Sequence, residues 1–209
     1  MMFLVPVGGV VDPRFGILTT PGHKGVPAGI KAGLPWAVDN QAFTVGFDAG
    51  VFLPWLETME PYRETCLFVP PPDVVGDACQ TLALFEQWWH QFDGWPLAFI
   101  AQDGQERLDF PDPVLWGTLF VGGTTHWKLG TGAVECIKRA QGLDKRIHIG
   151  RVNWWRRYAH FRAMEGSDGW TCDGTRTRYD GTYRALVAWG NYQSQLALFG
   201  HLPGGDSGG

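Results

Sequence analysis

Residues 97–125 read LAFIAQDGQERLDFPDPVLWGTLFVGGTT. Two apolar runs, Leu97–Ala101 and Thr118–Val121, carry apolar residues on both pleat faces. A strand covered on one side alternates; a parallel strand covered on both sides does not. Each run ends in polar or turn residues, Gln102-Asp103 in one case and Gly122-Gly123-Thr124-Thr125 in the other. Similar runs occur at Met2–Val7, Trp36–Val38, Cys66–Val69, Arg146–Ile149 and Trp170–Cys172. These are seven strands; the eighth that a closed barrel needs would fall at Gly16–Leu18, and without it the barrel is reduced. Helical spacing follows at Gln80–Phe92, Thr131–Gln141, Asn153–Glu165 and Thr182–Phe199. Asn153 suits a helix N-cap and Gly166 the glycine that ends one. The Gly- and Pro-rich segment 8–35 is expected as a surface loop or lid. Alternating strands and helices build right-handed βαβ units. The expected fold is α/β, a (β/α)8 TIM-barrel-like domain, complete or reduced. One domain over 1–203 and a flexible tail over 204–209 are expected. An open doubly wound sheet is the other arrangement, but no G-x-G-x-x-G follows a strand.

The composition fits this reading. The chain has 209 residues, 44% hydrophobic and 18% charged, which excludes a disordered tail, a collagen repeat and a coiled coil. Its 29 glycines and 14 prolines supply the turns that short elements need. Eleven tryptophans exceed ordinary core needs and suggest interfaces or planar ligands. Net charge is −4, so bulk attraction to nucleic acid is not expected. Residues 145–184, however, hold nine Lys/Arg against four acids, a local excess of +5 on a body of −9. Such a segment is either a nucleic-acid footprint or a solvated helix face.

Cys66, Cys79, Cys136 and Cys172 make no C-x-x-C pair, so neither a disulfide framework nor structural zinc is expected. The opening MMFLVPVGGVV has no basic n-region or cleavage site and reads as a first strand. No apolar stretch approaches a membrane span of about 20 residues. The expected compartment is reducing and soluble, most simply the cytoplasm.

In barrels, chemistry collects at the carboxyl ends of strands. Those ends carry Asp39, Asp73, Gln102-Asp103, Gly122-Gly123, Arg151 to Asn153, and Asp173-Gly174. Turn preference alone also enriches Asp, Asn and Gly there. Three carboxylates and a glutamine at one mouth suit guanine. A carboxylate accepts from its N1–H and N2–H2, an amide or glycine N–H donates to O6, and an aromatic ring covers its face. A further carboxylate can attack C1′ as in retaining glycosidases.

The pieces VDNQAF (38–43), VPPPDVVGDA (69–78), FIAQDG (99–104), LFVGGT (119–124), HIGRVN (148–153) and SDGWTCDGTR (167–176) resemble, in this order, the guanine transglycosylases. These enzymes exchange guanine for a 7-deazaguanine. The nearest branch is the DpdA-type enzymes of bacteria and phages, which act on DNA. The resemblance implies that Asp39 is a general acid/base and Phe43 the stacking aromatic. It implies that Asp73 reads the N1/N2 edge, with Asp77 as competitor. Gln102 and the Gly122–Gly123 turn would serve the base. Asp173 would be the nucleophile, with Asp168 as alternative because the register beside Cys172 differs by two places. The family's late zinc site and RNA-binding domain have no counterpart, which favours a compact zinc-free form and DNA.

Arg151, Trp154, Arg156 and Arg157 form one candidate phosphate-and-stacking surface. Thr124, Thr125, His126 and Lys128 form another. His148 reads as a satisfied structural residue. The expected partners are DNA, single-stranded or with a flipped base, and a 7-deazaguanine such as preQ0, with no metal or other cofactor and no membrane. A second copy or partner subunit is left open. The alternatives are a tRNA substrate, a different N-glycosyl hydrolase or transferase on modified nucleosides, and a non-catalytic nucleic-acid-binding relic.

Overall fold

Val5 lies beside Ile17, Leu18 beside Ala37, and Ile100 beside Phe120, each pair joining parallel neighbouring strands. The computed structural model describes residues 1–7, 13–42 and 44–175. Its eight strands are β1 (Met2–Pro6), β2 (Gly16–Thr19), β3 (Trp36–Val38), β4 (Cys66–Phe68), β5 (Ala98–Ala101), β6 (Thr118–Val121), β7 (Arg146–Ile149) and β8 (Thr171–Asp173). They run in the order β4-β3-β2-β1-β8-β7-β6-β5, so each pairs with its neighbours in sequence and β8 returns to β1. One parallel bridge, Val69 to Leu97, spans the remaining seam between β4 and β5. There the Val69 N–H donates to Pro96 O at 2.8 Å and the Ala98 N–H to Val69 O at 3.0 Å. The result is a nearly closed (β/α)8 TIM-barrel-like fold, with β2 as the eighth strand.

Pleat alternation makes two cores. Phe3, Val5, Trp36, Val38, Phe99, Leu119, Val121, Ile147 and Ile149 point outward and pack with the helices. Leu4, Ala37, Phe68 and Ala98 point inward, with Met2, Leu18 and Phe120 against them. The inner layer needs small residues. A Cβ on Gly16 would come within 2.5 Å of Leu4 Cδ2 and 2.9 Å of the Pro35 carbonyl oxygen.

Among the described residues the helices are α1 (Ala28–Lys31), α2 (Ala49–Thr58), α3 (Ala78–Trp88), α4 (Thr125–Lys128), α5 (Thr131–Gly142) and α6 (Trp155–Arg162). Between β5 and β6 only two short 3-10 turns, Gln105–Arg107 and Pro113–Leu115, take a helix's place. Aromatic rings cover that arc instead. Phe110 and Trp116 each stand 5.8 Å from Phe99, with Arg139 over Phe110 and Lys145 over Trp116. The tryptophans are spent largely on packing. Trp36, Trp116, Trp127 and Trp170 are buried, and Trp55, Trp88, Trp89 and Trp95 pack against the core.

Several expectations are corrected. Segment 8–35 is not simply a loop: Ile17 on β2 and Ile30 on α1 belong to the core. From residue 13 to 35 its Gly and Pro residues punctuate short elements. Helix α2 has no counterpart in the sequence reading. Asp48 caps it, accepting from the Gly50 N–H at 2.9 Å, and Pro54 lies inside it. Helix α3 passes into a 3-10 turn at Trp89–Phe92, short of the expected single helix. Helix α6 begins at Trp155 after an extended Trp154, so Asn153 is not its cap. Gly166 is left-handed, at φ 77°, but opens the following turn rather than closing the helix. The helix expected at Thr182–Phe199 and the tail at 204–209 lie outside the described residues. Among the described residues no helix is long and apolar enough to cross a membrane.

Phe99 is fully buried at the thin arc. Phe99→Ala is expected to lower unfolding free energy by about 3–5 kcal/mol, because Phe110 and Trp116 cannot close over the gap. Urea denaturation measures this; a loss under about 1 kcal/mol would mean the arc packs loosely.

Candidate functional site

The carboxyl ends of all eight strands open onto one cavity of about 610 Å³. Asp39, Asn40, Asp73, Gln102, Arg151 and Asp173 contribute its polar surface, and Leu18, Pro70, Ile100 and Phe120 line it with apolar groups. The acids expected from the ends of β3, β4 and β8 therefore meet at one mouth.

Asp73 follows the Pro70-Pro71-Pro72 run beyond β4. Its Oδ1 accepts from Asn40 Nδ2 at 2.9 Å and its Oδ2 from Gln102 Nε2 at 2.6 Å. Asn40 Nδ2 also donates to Pro71 O at 2.8 Å. Gln102 is 1% exposed and works as a hub. Its Oε1 accepts from the Gly76 N–H at 3.0 Å and the Gly123 N–H at 2.7 Å, which sets the amide with Nε2 toward Asp73.

These bonds correct the expected role of the glycine turn. The Gly123 N–H is taken by Gln102, and the Gly122 N–H donates to Ala101 O at 2.9 Å. Neither is left aimed at a base oxygen. The glycines serve close approach. A Cβ on Gly122 would stand 2.8 Å from Gln102 Nε2, and Gly123, at φ 68°, has Trp127 where its Cβ would be.

Asp39 leaves β3 in a tight turn. Its Oδ1 accepts from the Gln41 N–H at 2.8 Å, and Gln41 is left-handed at φ 61°. Burial pushes the Asp39 carboxyl above the ordinary range; the Gln41 N–H opposes this and the negative charge of Asp173 adds to it. Burial also raises Asp73, against the bonds from Asn40 and Gln102.

Asp173 ends β8 pointing inward. Its Oδ2 lies 2.9 Å from His148 Nε2, and its Oδ1 accepts from the Arg151 N–H at 3.1 Å. His148 is wholly buried, its ring 4.7 Å from that of Phe68 and 4.5 Å from that of Phe120. Its Nδ1 lies 2.8 Å from Thr171 Oγ1. An ionised carboxylate only accepts, so Nε2 carries the hydrogen on the Asp173 side. Sequence reasoning passed over His148 as structural. The available signal was parity: His148, Phe120, Thr171 and Asp173 all fall on inward positions of β6, β7 and β8. Cys172 faces the other way; burial holds its thiol well above its ordinary range, which makes it inert.

Asp168 is corrected as a nucleophile. It lies in the turn before β8, at the opposite end of the barrel, and is exposed and paired with Arg162 Nη2 at 2.5 Å. Asp77 is the N-cap of α3, accepting from the Gln80 N–H at 2.9 Å, and stands apart from the cavity. Phe43 lies outside the described residues.

The basic groups divide. Trp154 is 50% exposed and Arg156 is exposed, its guanidinium 5.5 Å from the Trp155 ring centre. Arg157 Nη1 donates to the Arg151 carbonyl at 3.2 Å, and Arg151 Nη2 to the Gly123 carbonyl at 2.5 Å. These residues flank the mouth beside β7. Lys128 is corrected as a phosphate contact. It is 3% exposed, and its Nζ donates to the Gly150 carbonyl at 2.5 Å. Thr124, in the same candidate patch, is held by Asp103 through its N–H at 2.7 Å and its hydroxyl at 2.6 Å. Among the described residues no group of three or more His, Cys, Asp or Glu is arranged to hold a metal ion.

Comparison with models of known protein families gave no match, and neither did comparison with curated protein sequences.

A raised carboxyl binds its proton more tightly folded than unfolded, so stability falls as pH rises through that interval. Asp39→Asn keeps an acceptor for the Gln41 N–H and removes the buried charge. The variant is expected to melt above the wild type at neutral pH, by about 2–4 °C per kcal/mol recovered. The difference should shrink as pH falls and close below the unfolded-state value of about 3.9, where wild-type Asp39 is protonated in both states. A lower melting temperature at neutral pH would make the carboxylate a net stabiliser.

Proposed function

We propose that the chain exchanges guanine in DNA for a 7-deazaguanine, through a covalent glycosyl ester on Asp173. The observation that carries the reading is the meeting of Asp39, Asp73 and Asp173 on one cavity, with Asp173 held by two donors and standing electrostatically against Asp39. The cavity volume of about 610 Å³ suits a nucleoside-sized ligand.

In this reading the base enters flipped from a duplex or presented by a single strand, because C1′ and the Watson–Crick edge are hidden in a helix. Asp73, fixed by Asn40 and Gln102, accepts from N1–H and N2–H2; each of its oxygens keeps a free lone pair after those bonds. Asp173 forms a bond to C1′ as the C1′–N9 bond breaks. The leaving electron pair on N9 takes the Asp39 proton, and guanine departs. A 7-deazaguanine then enters, gives its N9 proton to the Asp39 carboxylate, and attacks C1′. The ester breaks and Asp173 is restored. Nothing is oxidised or reduced. Burial and the neighbouring charge of Asp173 both favour the protonated Asp39 that the first step uses. Trp154, Arg156 and Arg157 offer a stacking and phosphate surface beside the mouth.

The test is incorporation of labelled guanine or preQ0 into DNA and, in parallel, tRNA. DNA is expected to incorporate label with ping-pong kinetics, and denatured protein to retain a nucleotide ester. Asp173→Ala is expected to abolish both, and Asp39→Asn to slow exchange by about 10²–10⁴. Arg156→Ala is expected to weaken DNA binding and flatten its salt dependence, leaving turnover at saturation unchanged. Full exchange by Asp173→Ala would end the assignment. Base release without incorporation would mean a hydrolase, and labelled tRNA with unlabelled DNA the RNA-acting variant.

A further inference from the structure

One buried charge beside the site has no part in those steps. Lys128 closes α4, and its Nζ donates to the Gly150 carbonyl at 2.5 Å. That carbonyl shares one peptide unit with the Arg151 N–H, which donates to Asp173 Oδ1 at 3.1 Å. The C=O and N–H of a peptide are conjugated, so a cation on the oxygen strengthens the N–H as a donor. We propose that Lys128 is a positioning residue for Asp173, its ammonium fixing and polarising the Gly150–Arg151 peptide that holds the carboxylate. The catalytic part of this inference rests on Asp173 being the attacking group.

The surroundings hold that peptide in place. The Gly150 N–H donates to Val121 O at 3.2 Å, and a Cβ on Gly150 would strike the Phe120 ring at 2.6 Å. Arg151 is left-handed at φ 58°, and its N–H faces inward to Asp173. Lys128 itself is anchored through α4: Thr124 caps the helix, and the Trp127 indole N–H donates to Glu106 Oε2 at 2.8 Å. Burial pushes the ammonium down to about 7, Arg151 and Arg157 add to the shift, and Asp173 and Asp103 oppose it. A neutral donor could bond the carbonyl without that penalty, so a structural role does not explain the charge.

The test follows the Arg151 amide in 1H–15N spectra across neutral pH, with Lys128→Met, Lys128→Gln and Lys128→Arg. In the wild type the Arg151 amide proton is expected to move upfield with a midpoint near pH 7, as Lys128 loses its proton. The Met and Gln variants should show the upfield position at every pH, and the Arg variant the downfield one. A midpoint that persists in Lys128→Gln belongs to another facing group, such as His148 through Asp173, and overturns the proposal. Loss of the dispersed spectrum in both Met and Gln variants makes Lys128 a folding residue and also overturns it. In the exchange assay Lys128→Gln should lower kcat about tenfold with KM for guanine unchanged, partly restored by Lys128→Arg. A kcat within about twofold of the wild type removes the catalytic consequence. The expected NMR response in a wild type that exchanges no base leaves the peptide coupling standing and ends the base-exchange reading. Exchange with a flat Arg151 amide does the reverse.

Discussion

Gln102 holds the barrel where it is weakest. One bridge spans the seam between β4 and β5. Directly above it, one buried amide joins the loop after β4, through Gly76 and Asp73, to the loop after β6, through Gly123. A hydrogen bond nets about 1 kcal/mol, but stranding several buried partners at once costs more than the sum of their pairs. The seam and the position of Asp73 are therefore fixed by the same side chain. Any change that loosens the barrel here also releases the carboxylate that would read a ligand.

The interior above that seam is arranged against stability. Asp39 and Asp73 are both raised by burial, and Lys128 is lowered by it. Burial drives each of these groups toward its neutral form, a cost that a core selected for stability alone would avoid with apolar residues. The apolar contribution comes from elsewhere: the outward faces of the strands, the tryptophans, and the aromatic pair that stands in for a helix between β5 and β6.

The sequence was most legible where burial is two-sided. Seven strands could be read because continuous apolar runs have no other place in an α/β chain, and Asp39, Asp73, Gln102 and Asp173 followed from their ends; β2, short and set in a Gly- and Pro-rich segment, was legible only as the piece a closed barrel still lacked. Helix α2 was hidden by Pro54, and the start of α6 by an asparagine that faces the cavity instead of capping. Partners across loops were not legible. Nothing in GGTTHWK says that the glycine N–H meets a glutamine 21 positions earlier, or that the lysine turns inward to Gly150. Asp168 and Asp173 look alike as letters and differ only in which end of β8 they occupy.

Two non-glycine residues at the mouth, Gln41 and Arg151, adopt left-handed backbone, and in both the main-chain N–H meets a carboxylate, Asp39 and Asp173 respectively. A donor carried by the main chain survives replacement of the side chain that sits on it. The grip on these acids accordingly depends on the backbone angle at 41 and 151 and not on the side chain carried there: glycine and asparagine take that angle readily, valine and isoleucine only with strain, and proline has no such hydrogen and cannot take it.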